Sequence, residues 1–103
     1  MILPVLSLAL TGAFLASARA DGAEGARIVK ESCASCHAVG AEADAKSPDP
    51  KAPRFIDVAN MPSTTELSIK VFLRSSHKNM PNFILSPEEA DAVAAHILGL
   101  KKK

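Results

Sequence analysis

Tryptophan and tyrosine are absent, and only four phenylalanines occur in 103 residues. A domain this short buries a modest fraction of its surface and is marginal on a side-chain core alone. The scarcity of aromatics therefore leaves room at the centre for something other than polypeptide. Cysteine is also sparse: two, with three histidines. A tetrahedral zinc site would have to draw four ligands from that small stock. No βαβ pattern accompanies the cysteines, so a thioredoxin-like dithiol lacks its usual setting. Neither sign of charge dominates, with 12 Lys and Arg against 11 Asp and Glu, and there is no basic footprint for nucleic acid. No apolar run reaches the roughly 20 residues a membrane-spanning helix needs. There are no internal repeats, and the length allows one domain.

The apolar run that is present, Ile2 to Ala16, is broken only by Pro4, Ser7, Thr11 and Gly12, and is followed by Ala18-Arg19-Ala20. This pattern predicts a secretory signal peptide over residues 1–20, cut after Ala20, and a mature domain over 21–103. The alternative is an uncleaved anchor. No Lys or Arg precedes the run, so the free amino group supplies the positive charge or the true start lies upstream. Removing Arg19 from the 12 basic residues leaves 11 against 11 acidic ones, a formal net charge of zero. In an exported protein a close cysteine pair oxidises unless the thiols are captured.

Cys33-Ala34-Ser35-Cys36-His37 supplies the capture. C-x-x-C-H is the pattern of covalent haem attachment. Each thiol adds across one vinyl group to give a thioether, and the imidazole takes one axial position on the iron. On a helical turn residues three and four apart share a face, so Cys33, Cys36 and His37 can address one flat macrocycle. A redox disulfide or half of a zinc site is the competing reading.

Around this motif the chain predicts helices. Asp21 with Glu24 forms a plausible capping box, and a helix is expected over 22–36, with Gly25, Val29, Cys33 and Cys36 along one stripe. Gly25 costs helix stability, which marks either a close approach by another helix or a tolerated glycine near a frayed end. Residues 38–62 hold Pro48, Pro50, Pro53 and Pro62. A loop this long suits a function such as wrapping a haem edge, with Ala52-Pro53-Arg54-Phe55 packing inward. Ser63 and Glu66 suggest a capping box opening a helix over 63–75, although 67, 69, 71 and 73 also alternate as a strand would. Ser86-Pro87-Glu88-Glu89 is the clearest helix start, followed by an apolar face of Ala90, Val93, Ala94, Ile97 and Leu100, with Lys101 to Lys103 at the end the macrodipole favours for cations.

His37 leaves one axial position. Met61, Met80, His77 and His96 are the candidates, and Asn-Met-Pro occurs twice, at 60–62 and 79–81. Met80 follows the middle helix and precedes the last, which leaves chain enough to return across the face opposite His37. Pro81 holds it in an extended turn. Met80 is therefore favoured. Met61 suits core or loop packing, His77 a surface position near the haem edge, and His96 a core or interface position. A second axial ligand closes the iron to substrate, which favours electron transfer over oxygen chemistry.

With Cys33-Ala34-Ser35-Cys36-His37, Gly25 and Val29, Ala52-Pro53-Arg54-Phe55, Met80-Pro81 and the capped last helix in view, the chain resembles a class I cytochrome c of the small bacterial single-haem type. The resemblance implies an all-α cytochrome c fold, with three to four helices and a Pro-rich loop wrapped around one covalent haem c and its iron. Cys33 and Cys36 would bind the haem and His37 and Met80 the metal. The Pro53 carbonyl would accept a bond from His37 Nδ1–H, and Gly25 and Val29 would cross the last helix near Val93 and His96–Ile97. An aromatic is usual where His96 stands. The Trp that holds a propionate in some relatives is missing, leaving Arg54, Lys46 and Lys51 as candidates. The implied function is non-enzymatic: a monomeric periplasmic electron carrier between a donor dehydrogenase or cytochrome complex and an acceptor oxidase or reductase, binding neither nucleic acid nor membrane. Lys78 and other lysines near the haem edge would steer an acidic partner or be ordinary solvated surface. The alternative is a haem-based gas sensor or peroxidase-like enzyme with a labile sixth ligand.

Overall fold

The computed structural model describes residues 2–5, 13–75 and 79–102, with the backbone alone for 13–21. His77 and Lys78, and with them the expectations placed on those two side chains, lie outside the described residues. Among the described residues there are four helices: α1 (Ala13–Ser32), α2 (Phe55–Asn60), α3 (Glu66–Arg74) and α4 (Pro87–Leu98), with no strand. No helix among them is long and apolar enough to cross a membrane.

The predicted start of α1 at residue 22 is corrected: the helix runs back to Ala13, through the expected cleavage point, so Asp21–Glu24 does not cap it. Glu24 instead pairs with Arg27 at 2.5–3.0 Å, and Arg27 reaches on to Glu31 at 2.8 Å. The expected end at residue 36 is corrected as well. The Ala34 N–H reaches back to the Val29 carbonyl at 2.9 Å, sharing it with Cys33. That wide turn closes the helix. A separate turn then forms, in which the Cys33 carbonyl accepts from the N–H groups of Cys36 (3.1 Å) and His37 (2.9 Å).

α4 is the element against which the other three helices pack. Its capping box forms as the sequence indicates: Glu89 N–H donates to Ser86 Oγ (3.1 Å), and Ser86 N–H to Glu89 Oε1 (2.9 Å). Val29 of α1 and Val93 of α4 are each 1% exposed and centre a core that also takes in Ile28, Phe55, Ile69 and Ile97. Burying each valine contributes roughly 1.5–3 kcal/mol. At Gly25 the backbones of α1 and α4 approach closely. A Cβ there would collide with the Ala92 carbonyl oxygen and lie 3.0 Å from His96 Cβ. The open choice at Gly25 thus resolves in favour of a close helix approach.

α3 begins three residues later than expected. Its cap is Thr65, whose side chain accepts from Ser68 N–H while Ser68 Oγ accepts from Thr65 N–H. Thr64 Oγ1 donates to the Val58 carbonyl at 2.6 Å, which anchors this turn to α2 and leaves Ser63 outside the helix. Ile69 is buried and Leu73 partly so, whereas Leu67, Val71 and Phe72 are exposed. Lys70 ties α3 to α4, bridging Glu66 (2.7 Å) and Asp91. The Pro-rich loop contains α2, which sequence reasoning missed. Phe55, Ile56 and Ala59 are buried in it, and the Asn60 side-chain oxygen accepts from Lys102 N–H beyond the end of α4 at 2.9 Å. Met61, expected in core or loop packing, is 51% exposed at the C-terminal end of α2 and is not a core residue.

Candidate haem site

The turn after α1, the loop before α2 and the stretch before α4 enclose a cavity of about 620 Å³. Its lining includes Cys33, Cys36, His37, Pro53 and Met80, five residues from three separate parts of the chain. Met61 and His96 are not in it. The separate turn after Ser32 is what gathers Cys33, Cys36 and His37 here, so the shared face exists although the helix has already ended.

His37 is held from two sides. Its Nδ1 lies 2.7 Å from the Pro53 carbonyl oxygen. A carbonyl only accepts, so Nδ1 carries the proton of this bond, which leaves Nε2 as the nitrogen that could ligate a metal. Phe55 lies against the imidazole, with centroids 4.9 Å apart and the rings tilted by 40°. The backbone around His37 is fixed too: Cys36 O accepts from Asp49 N–H (3.1 Å), Ala38 N–H donates to Ser47 Oγ (3.1 Å), and Ala38 O accepts from Phe55 N–H (2.9 Å). Sequence reading singled out Pro53 and Phe55 but not Ser47 or Asp49, which carry no motif of their own.

Cys33 and Cys36 are half-buried and do not pair with one another. Burial pushes the Cys33 thiol up from its ordinary range, which disfavours the thiolate that redox exchange and zinc binding require. Among the described residues no cluster of three or more His, Cys, Asp or Glu is placed to hold a bare metal ion. The residues fit a haem instead: two thiols, an imidazole oriented by its Nδ1 bond to Pro53, and a thioether in one cavity wall.

The basic residues named for the propionates separate here. Arg54 is spent within the loop, its guanidinium bonded to both oxygens of Asp57 at 2.9 Å and to the carbonyls of Ala43 (2.5 Å) and Ala45 (3.2 Å). That bond holds the Asp57 carboxyl below the usual carboxylate range. Arg54 thus staples the loop on the Pro53 side of the cavity. Lys51 lines the cavity, and Lys46 does not.

A helical fold around a cavity lined by C-x-x-C-H and a methionine defines a small c-type cytochrome. Residues 20–97 match the family described as cytochrome c oxidase, cbb3-type, subunit III, and the chain belongs to that family of c-type cytochromes. It is also 36% identical over 96 residues to cytochrome c-552 of Bradyrhizobium diazoefficiens, an alignment covering 93% of this chain and 90% of that protein. No solved structure matches it. The family establishes electron transfer by a covalently bound haem c with iron.

Proposed function

We propose that the mature chain, residues 21–103 after signal cleavage at Ala20, is a periplasmic carrier of one electron on a single haem c ligated by His37 and Met80. It would pass that electron from a donor dehydrogenase or cytochrome complex to an acceptor oxidase or reductase. The observation that supports this most is the meeting of Cys33, Cys36, His37 and Met80 in the lining of one cavity. The bound haem supplies an Fe(III)/Fe(II) couple, and His/Met ligation sets it at a higher potential than bis-His ligation would.

The chain's own residues do the rest. Cys33 and Cys36 would hold the haem through two thioether bonds. Pro53 fixes the tautomer and ring angle of His37 and raises its basicity as a ligand. Phe55 blocks ring rotation. Pro81 disfavours helical geometry at Met80, which keeps that residue in an extended segment of the cavity wall. Holding both ligands in nearly the same place in both redox states keeps the reorganisation on electron transfer small. Lys51, exposed at the cavity mouth, is placed to steer an acidic partner.

An equilibrium redox titration of the purified protein is the test. A single one-electron transition, with no rapid binding of carbon monoxide to the reduced form at neutral pH, is expected. Rapid carbon monoxide binding would instead support the sensor or peroxidase reading.

A further inference from the structure

One polar cross-tie near the cavity has no part in ligating the haem. His96, half-buried on α4, has Nε2 2.7 Å from the Val39 carbonyl oxygen. Since a carbonyl only accepts, the ring proton is on Nε2, and the bond runs from α4 to the backbone two residues beyond His37. Its origin is also set. Gly25 lets α1 close on α4 at His96 Cβ, so the helix crossing fixes where this ring can lie.

The stretch that receives the bond is the one leaving the proposed iron ligand. Ala38 is tied to Ser47 and to Phe55, and both of those ties come from the Pro-rich loop and the start of α2. The bond at Val39 comes instead from α4, against which the other three helices pack. Val39 is itself packed against the core as a partly buried residue. An apolar ring at position 96 would fill the crossing equally well but would leave that carbonyl without this donor. Burying an imidazole edge there is unfavourable unless it is hydrogen-bonded, and here it is.

We propose that His96 is a positioning residue for His37, acting through Val39. Its Nε2–H ties the backbone that leaves the ligand to the helix crossing, and so supports from α4 the ring angle that Pro53 and Phe55 hold at His37. This inference rests on the His37 ligation proposed above.

The test uses matured, haem-loaded protein and two variants. His96→Phe keeps a flat ring and removes the donor, whereas His96→Gln removes the ring and keeps an N–H close to the place of Nε2. The readouts are the paramagnetically shifted His37 ring protons of the oxidised protein and the midpoint potential, neither of which packing at a remote crossing would move in this pattern. His96→Phe is expected to shift both, and His96→Gln to return both towards wild type. Nitrogen-15 shifts of His96 in the unaltered protein should show the Nε2-protonated tautomer, a result that does not depend on either variant folding. The proposal is overturned if His96→Phe matches wild type, if His96→Gln is as shifted as His96→Phe, or if the proton is found on Nδ1. Wild-type protein without haem would be a different outcome, removing the electron-carrier reading and the role of His96 together.

Discussion

Replacing Met80 by alanine should abolish the weak sulfur-to-iron charge-transfer band of the oxidised protein. It should also lower the midpoint potential by on the order of 100 mV, within the ~0.8 V that axial ligands span. Met80 lines the same cavity as His37 and the two cysteines. It is half-buried, and Pro81 keeps it out of the helical region. The same change should open the sixth position, so that the reduced variant takes up carbon monoxide. Met61 sits in an identical Asn-Met-Pro tripeptide but is 51% exposed at the end of α2 and absent from the cavity wall. Met61→Ala should therefore leave both band and potential where they were. Visible spectra and potentiometry on the two variants decide the matter. A band that survives Met80→Ala and vanishes in Met61→Ala would reverse the assignment.

Valine at position 25 should be the most damaging single change outside the cavity. Taking glycine out of an ordinary helix interior gains up to about 1 kcal/mol. Here the new Cβ would meet the Ala92 carbonyl oxygen, part of the α4 backbone, which cannot swing aside as a side chain does. Overpacking of this kind costs typically 1–3 kcal/mol, and the γ-methyl groups add to it. The two helices must separate, loosening the contact between Val29 and its neighbours on α4. At roughly 4–8 °C per kcal/mol for a domain of this size, the melting temperature of the haem-loaded protein should fall by about 10 °C. Gly25→Ala should fall less, because it has the clash without the branching. A melting temperature that stays level or rises in Gly25→Val would mean that α1 and α4 do not meet at this point.

These two positions also show what could be read before the fold was known. The place of Met80 in the cavity wall was legible because the signals are local: a thioether, a following proline, and enough chain on both sides. Gly25 was half-legible, since a glycine in a helix has a cost but no direction. Ser86-Pro87-Glu88-Glu89 announced α4 because both bonds of its box lie within four residues. Ser63 to Glu66 looked much the same and misled. Three hydroxyl residues in a row offered three caps, and the choice fell to Thr65 because Thr64 is engaged by the Val58 carbonyl at 2.6 Å. No local pattern contains that contact. α2 was illegible for a related reason. It has six residues and no side-chain cap, and its anchor is the bond from Phe55 N–H to Ala38 O at 2.9 Å. The tie between His96 and Val39 is the extreme case, since nothing near either residue in the chain signals the other.

Intact mass after denaturation bears most directly on the central claim that the two thiols of C-x-x-C-H hold a haem covalently. Protein matured in an exporting host should run as one species heavier than the polypeptide from Asp21 by one haem. It should keep its colour in denaturant and release a haem-bearing peptide that contains Cys33 and Cys36. A colourless chain of bare polypeptide mass, with both cysteines open to alkylation, would contradict it.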